Sequence, residues 1–139
     1  MEEKSAGAVV FHVGQAGTRY LLLRYPAGHW DFPKGNMEKG EQEMDTVVRE
    51  IWEETGLKRI SSVQGFRRKI EYFYRRQGGL VHKMVVFLLM KSEDDSVRLS
   101  DEHQDYGWFS IEDAMKKVTY SNSKKVIQDA ETHLRRLPK

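Results

Sequence analysis

The alternation of apolar and polar positions predicts several β-strands along this chain. Runs of β-branched and aromatic residues, bounded by glycine, proline or polar turns, are typical of strands. The predicted strands cover residues 5–11, 20–23, 62–75, 80–91 and 105–109, with an extended stretch at 28–32. The glycine-containing turn at 77–79 predicts a hairpin between the third and fourth of these strands.

Between residues 42 and 55 the period of the apolar positions changes to that of an α-helix. Met44, Val47, Val48 and Ile51 follow one another at i, i+3, i+4 and i+7, the spacing of one buried stripe. Gly56 comes directly afterwards and is the expected helix end. We therefore expect this helix to pack against the sheet through that stripe.

Two shorter patterns predict helices in the last third of the chain. Ser110, followed three residues later by Asp113, resembles a helix N-terminus, and that helix should reach about residue 118. Ser121 or Ser123 is expected to cap a final helix that reaches about residue 134. Since no repeat or linker interrupts the pattern, the sequence predicts a single mixed α/β (α+β) domain over residues 1–139.

The composition excludes several classes of protein. Lys and Arg number 23 against 21 Asp and Glu, a formal net charge of +2, which excludes a strongly basic nucleic-acid coat protein. The absence of cysteine excludes disulfides, thiolate zinc sites and a cysteine nucleophile. The longest apolar run, residues 84–90, is far shorter than the roughly 20 residues that span a bilayer, and the start lacks a signal-peptide pattern. We expect a cytoplasmic protein without a membrane partner.

Three glutamates make the central helix a candidate metal site. Glu50, Glu53 and Glu54 lie at i, i+3 and i+4, so their carboxylates project from one side of the helix. That side is expected about 120° from the apolar stripe, on an adjacent face. Carboxylate oxygens suit hard cations such as Mg²⁺ or Mn²⁺. The plainer interpretation is that three good helix formers are simply exposed to solvent.

Residues 35–57 resemble the signature of the Nudix hydrolase family at all of its fixed positions. These positions are Gly35, Glu41, Arg49, Glu50, Ile51, Glu53, Glu54, Gly56 and Leu57. The resemblance implies an αβα sandwich with a central mixed β-sheet between helices, and metal-dependent hydrolysis of a nucleoside diphosphate derivative. It implies that Glu50, Glu53 and Glu54 bind the metal, with the carbonyl of Gly35 as a further ligand. Glu41 and Arg49 would form an ion pair that holds the loop to the helix.

Three further stretches are similar to the asymmetrical diadenosine tetraphosphate hydrolase branch of that family. They are HWDFPKG at 29–35, the segment 65–83 that begins GFRR, and LSDEHQ at 99–104. This resemblance implies that His29, Lys34, Tyr72 and Lys83 contact the polyphosphate and that Tyr120 stacks on adenine. Glu102 would bind metal or position water. The structural alternatives are a packed aromatic at Tyr72 and a lysine that merely flanks a hydrophobic strand at Lys83.

The function implied is hydrolysis of diadenosine tetraphosphate to ATP and AMP, by water attack on an outer phosphate with Mg²⁺ or Mn²⁺. The residues leave open whether Glu54 or Glu102 is the base. The alternatives are an RNA 5′-pyrophosphohydrolase, another nucleoside or inositol polyphosphate hydrolase, and, in another class, a non-catalytic nucleotide-binding module. The complete set of three glutamates argues against that module. We expect a small dinucleoside polyphosphate as the partner, with nucleic acid only as a 5′-end substrate.

Overall fold

In the computed structural model, which describes residues 1–138, the strands lie between residues 2 and 109 with one helix among them, and two helices follow. The strands are β1 (Glu2–Gly14), β2 (Gly17–Arg24), β3 (Trp30–Asp31), β4 (Lys34–Asn36), β5 (Ile60–Ser62), β6 (Arg68–Arg76), β7 (Gly79–Ser92) and β8 (Asp105–Phe109). The helices are α1 (Glu43–Thr55), α2 (Ile111–Lys117) and α3 (Ser121–Arg136).

All of these strands belong to one sheet, and the parallel pair β1 and β7 forms its centre. The two strands are paired from Glu2 opposite His82 to Phe11 opposite Lys91. The other pairings are antiparallel: β1 with β2 and β4, β2 with β3 and β8, and β7 with β5 and β6. The sheet is therefore mixed, as the sequence predicts.

Side chains that alternate along β1 and β2 point to opposite faces of the sheet and build two hydrophobic clusters. One cluster includes Val9 and Tyr20 and is covered by α2 and α3. The other includes Ala8 and Leu21 and is covered by α1 through residues such as Ile51. Helices on both faces make an αβα sandwich, which confirms the predicted fold class.

The predicted bounds of α1 are confirmed, but its predicted apolar stripe is wrong at two positions. Val47 and Ile51 are fully buried, whereas Met44 and Val48 are 37% and 43% exposed. The buried side continues instead to Glu54, which is only 3% exposed. Residues 47, 51 and 54 lie at i, i+4 and i+7, so this carboxylate shares the packed face of the helix. It does not lie on an adjacent face, as the sequence pattern suggested.

The predicted strand at 62–75 is also corrected. The chain breaks it into β5 and β6, because it turns at Gly65, whose φ of +86° is readily adopted only by glycine. The predicted hairpin that follows is confirmed, with β6 and β7 paired from Arg68 opposite Phe87 to Arg76 opposite Gly79.

The predicted caps of the last two helices have different outcomes. Ser110 caps α2 as predicted, and its hydroxyl accepts the backbone N–H of Asp113 at 3.2 Å. The predicted cap of α3 is wrong, because Tyr120 occupies the N-cap position. Ser123 instead donates its hydroxyl to the buried carboxylate of Asp31 at 2.9 Å. No helix within residues 1–138 is long and apolar enough to span a membrane.

Candidate functional site

The segment that resembles the family signature forms β4, a loop and α1. Gly35 lies in β4, opposite Ala6 of the central strand β1. α1 ends at Gly56, which has a left-handed φ of +74° and donates its N–H back to the carbonyl of Trp52 at 2.9 Å. The pairing of β4 with β1 and the end of α1 together hold this loop and the three glutamates of the helix beside the sheet.

Arg49 and Glu41 form a two-point ion pair that ties the loop to α1. Arg49 donates from Nε and Nη2 to the two carboxylate oxygens of Glu41, at 2.7 and 2.9 Å. Glu41 also accepts the hydroxyl of Thr46 and the backbone N–H of Glu38, each at 2.8 Å. The hydrogen bonds from Arg49 and then from Glu38 lower the pKa of Glu41 to about 2. Such a network fixes the loop, which is the supporting role expected of these two residues.

The same guanidinium holds two of the three candidate metal ligands. Nη1 of Arg49 lies 2.8 Å from one carboxylate oxygen of Glu50 and 2.8 Å from one of Glu53. Glu53 is half exposed, whereas Glu50 is mostly covered. Within residues 1–138 no three histidine or carboxylate side chains converge closely enough to form a ready metal centre. The structure thus brings Glu50 and Glu53 together around a cation, and that cation is Arg49.

Glu54 lies deeper than the other two glutamates and is the least satisfied polar group of the site. Both of its carboxylate oxygens are buried and accept no hydrogen bond. His103 Nε2 lies 3.1 Å from Oε1, without the alignment of a hydrogen bond. Burial raises the pKa of Glu54 to about 7. Burial, together with the charge on Glu54, raises the pKa of Glu50 to about 7 as well.

These observations fit a divalent cation bound beside α1. Buried carboxylates are normally paired with a cation, hydrogen-bonded or bound to metal. Within residues 1–138, Glu54 has neither a hydrogen bond nor an ion pair with a lysine or arginine. Glu50 and Glu53 each give one oxygen to Arg49 and keep the other. Gly35 packs so tightly on Glu50 that a Cβ at this position would lie 2.1 Å from its carboxylate. A larger residue at this position would displace the Glu50 carboxylate, so glycine keeps the backbone of β4 and this carboxylate together, as a site with a backbone ligand requires.

Glu102 lies on the loop between β7 and β8 and faces the same cleft as Glu54. The cleft has a volume of about 270 Å³ and is also lined by Tyr25, Lys34 and His103. Glu102 itself is exposed. The two candidate bases therefore border one cleft, one from the helix and one from the loop.

Four of the five predicted substrate-binding residues line a second cavity. His29, Lys34, Tyr72 and Tyr120 border this space of about 480 Å³, together with the first turn of α3. Tyr72 and Tyr120 are 42% and 49% exposed, and the His29 ring centroid lies 5.4 Å from that of Tyr120. Burial and then the charge on Lys34 lower the pKa of His29. Lys34 borders both cavities and therefore lies between the aromatic pocket and the cleft of the carboxylates.

Lys83, the fifth residue, does not line that cavity. It stands opposite Tyr72 across β6 and β7, but its Nζ donates to the side-chain carbonyl of Asn36 at 2.7 Å. Glu3 lies 3.5 Å from the same nitrogen. Burial lowers the pKa of Lys83. Lys83 thus lies beside β4, next to the glycine of the metal segment, and is not a simple flanking lysine on the surface.

Tyr25 is a site residue that the sequence reasoning missed. Its ring stacks on His29 with centroids 4.9 Å apart, and Lys34 Nζ lies 4.5 Å from its centroid. Its edge meets His103, with centroids 4.6 Å apart. Its hydroxyl donates to the carbonyl of Phe32 at 2.5 Å. One partly buried ring therefore contacts groups on both sides of the site, and only the fold brings His103 to it from a distant part of the sequence.

The family follows from a comparison with known domains. The model of the NUDIX domain matches residues 2–130. The chain belongs to the Nudix family. This confirms the family predicted from residues 35–57, and it extends the match over almost the whole chain.

Individual Nudix proteins with the same arrangement are known. The bis(5′-nucleosyl)-tetraphosphatase [asymmetrical] of Mus musculus is 31% identical, and the match covers 96% of this chain and 97% of that protein. The Caenorhabditis elegans enzyme of the same name is 34% identical over 87% of this chain and 88% of its own length. A crystal structure of a C. elegans Ap4A hydrolase binary complex superposes with a TM-score of 0.86 at 29% identity, covering 97% and 99% of the two chains.

Proposed function

We propose that this chain is an asymmetrical bis(5′-nucleosyl)-tetraphosphatase, which hydrolyses diadenosine tetraphosphate to ATP and AMP. The observation that carries the proposal is that Lys34 borders both the aromatic pocket of Tyr72 and Tyr120 and the cleft of Glu54 and Glu102. The two tetraphosphatase relatives, which match over most of the chain, support it. The RNA, inositol polyphosphate and non-catalytic alternatives are not favoured by these matches.

The pocket is suited to one end of a dinucleoside polyphosphate. Two half-exposed tyrosines offer faces on which a nucleobase can stack, an interaction that tolerates any base. Lys34 stands at the junction with the catalytic cleft, where a mobile cation can follow the charge on a phosphate chain. We assign His29 to the same chain, and Lys83 to the phosphate that comes nearest β4.

The site depends on a divalent metal, and we assign Mg²⁺ to it, with Mn²⁺ as a substitute. Glu50, Glu53 and Glu54 would hold the ion, with Glu102 and the carbonyl of Gly35 completing the set. A bound divalent ion neutralises phosphate oxygens and lowers the pKa of a bound water. Arg49 and Glu41 keep the helix and loop in place, and the other oxygens of Glu50 and Glu53 would be available to hold the ion.

A carboxylate near the attacking water must accept its proton. Glu54 and Glu102 border one cleft, and we keep both residues as candidates for this base.

We further propose that the chain forms one Nudix domain over residues 1–139, that it is cytoplasmic and that its partner is a small-molecule dinucleoside polyphosphate. These three proposals come from the sequence.

The proposal is tested by product analysis. The purified protein is given diadenosine tetraphosphate and Mg²⁺, with or without a chelator, and nucleotides are separated by ion-exchange chromatography. ATP and AMP in equal amounts, abolished by the chelator, are the expected result. Two molecules of ADP would mean symmetrical cleavage. If no product forms, the proposal is contradicted, and 5′-triphosphorylated RNA and diphosphoinositol polyphosphates are the next substrates to test.

A further inference from the structure

The loop that follows β7 carries a histidine into the least satisfied part of the site. The side chain of His103 is almost fully buried, and Nε2 lies 3.1 Å from Oε1 of Glu54. Within residues 1–138 neither atom has a hydrogen-bond partner elsewhere.

The other side of the imidazole is held by its own loop. Nδ1 lies 2.9 Å from the hydroxyl of Ser100, which can donate to it. A ring that accepts at Nδ1 carries its proton at Nε2, the nitrogen that faces Glu54. A Ser100 hydroxyl that donates to Nδ1 therefore stabilises the tautomer that can donate to the carboxylate.

The loop is fastened to the same helix turn that it serves. The backbone N–H of Ser100 donates to the carbonyl of Glu54 at 3.1 Å, and that of Arg98 donates to Thr55 at 2.8 Å. The backbone of His103 returns to the Ser100 carbonyl at 3.2 Å. The ring edge also packs on Tyr25. The loop therefore contacts Glu54 twice: its backbone bonds to the carbonyl of Glu54, and its histidine lies beside the carboxylate.

We infer that His103 is a positioning residue for Glu54: its Nε2–H donates to Oε1 and leaves Oε2 free for the metal ion. This inference rests on the proposed metal site. The imprecise alignment of the pair is ordinary for such contacts, which commonly tighten only in the complex with substrate. Residues that orient a metal ligand from behind typically change metal affinity by about 10- to 100-fold when replaced.

The test measures Mn²⁺ binding by the electron paramagnetic resonance signal of the free ion, without substrate. We expect His103→Phe, which keeps an aromatic ring of similar size, to raise the Mn²⁺ Kd by about tenfold or more. His103→Gln places an amide N–H near the position of Nε2, so its Kd should stay within about threefold of the wild type. His133→Phe is the matched control, because the ring of His133 bonds to the carbonyl of Gln64 and borders neither cavity of the site.

The variants separate positioning from a merely structural role. A folded His103→Phe variant with the wild-type Kd would overturn the inference, and so would a Gln variant as weak as the Phe variant. Should His103→Phe fail to fold, Ser100→Ala decides: a raised Kd supports the tautomer argument, and an unchanged Kd refutes it. Because no substrate is needed, a wild-type protein that binds Mn²⁺ but leaves diadenosine tetraphosphate intact contradicts the proposed function alone.

Discussion

At the scale of single residues, the site is defined by a carboxylate that is buried away from water. Glu54 continues the packed stripe of α1 and is buried with no hydrogen bond to either oxygen. An ionised group in such a place is unfavourable unless a cation accompanies it. Arg49 is already shared by Glu41, Glu50 and Glu53, and Lys34, which borders the cleft of Glu54, is paired with Asp31. Glu54 is thus left for a ligand, which makes it the residue whose replacement says most about the chemistry.

We predict that Glu54→Gln lowers kcat by about 100-fold or more while the protein stays folded, because Gln keeps the volume but loses the charge and the basic oxygen. Steady-state kinetics at saturating Mg²⁺, with circular dichroism of the same sample, measures both effects. Glu112→Gln, on the exposed side of α2, is the matched control. Turnover near that of the wild type would remove Glu54 from the site.

The raised pKa values of Glu50 and Glu54 predict a pH-dependent response to metal. Both groups have a folded-state pKa of about 7 against an ordinary value near 4.5, so the folded protein binds more protons in this range. Stability without metal should therefore fall as pH rises from about 4.5 through about 7. We expect Mg²⁺ to raise Tm more at pH 8 than at pH 6, since only the ionised carboxylates bind it. Thermal unfolding with Mg²⁺ or chelator checks this, and an equal shift at both pH values contradicts it.

At the scale of elements, the start of α3 lines the pocket and is bound to β3, through the backbone of Trp30 and the side chain of Asp31. Thr119 donates its backbone N–H to Trp30 at 3.1 Å, and its hydroxyl accepts the N–H of Trp30 at 2.8 Å. Ser123 donates to the buried Asp31 one turn further on. These bonds set the distance between Tyr120 and the opposite wall of the pocket.

Tyr120→Ala should raise KM for diadenosine tetraphosphate about tenfold with little change in kcat, because stacking on a base contributes about 1–3 kcal/mol. Tyr120→Phe keeps the ring and should behave like the wild type. Initial rates over a range of substrate concentrations separate KM from kcat. If the Ala variant kept the wild-type KM, the base would have to bind elsewhere.

Ser123→Ala should destabilise the protein by about 1–3 kcal/mol, because it leaves a buried acceptor of Asp31 without this partner. Ser121→Ala, at an exposed position of the same turn, should be nearly neutral. Denaturant unfolding of both variants gives the two free energies of unfolding. Equal values would show that the Ser123 bond does not hold α3 in place.

Elements with local signals could be predicted from the sequence, and those that depend on distant partners could not. Gly56 and Ser110 marked helix ends correctly, because a left-handed glycine and a capping hydroxyl act on their own turn. Ser123 offered the same signal but its hydroxyl binds a carboxylate 92 positions away. The apolar period of α1 similarly misplaced its packed side, because Glu54, which no hydrophobicity pattern would bury, continues it.

At the scale of the whole molecule, the site lies where the two helical layers meet the same edge of the sheet. α1 brings the carboxylates from one face, and α3 brings Tyr120 from the other. β3 and β4, with Phe32 and Pro33 between them, join the two and carry Lys34 at the junction. The sequence motif predicted the first set of residues, whereas the meeting of both sets, organised around Tyr25, became evident only in the fold.

The most direct test of this account locates the phosphate that water attacks. Diadenosine tetraphosphate is hydrolysed with Mg²⁺ in water labelled with ¹⁸O, and the masses of AMP and ATP are measured by mass spectrometry. Attack on an outer phosphate, with the carboxylates of α1 beside it, predicts one label in AMP and none in ATP. A label in ATP would place the attack on the neighbouring phosphate and contradict the assignment.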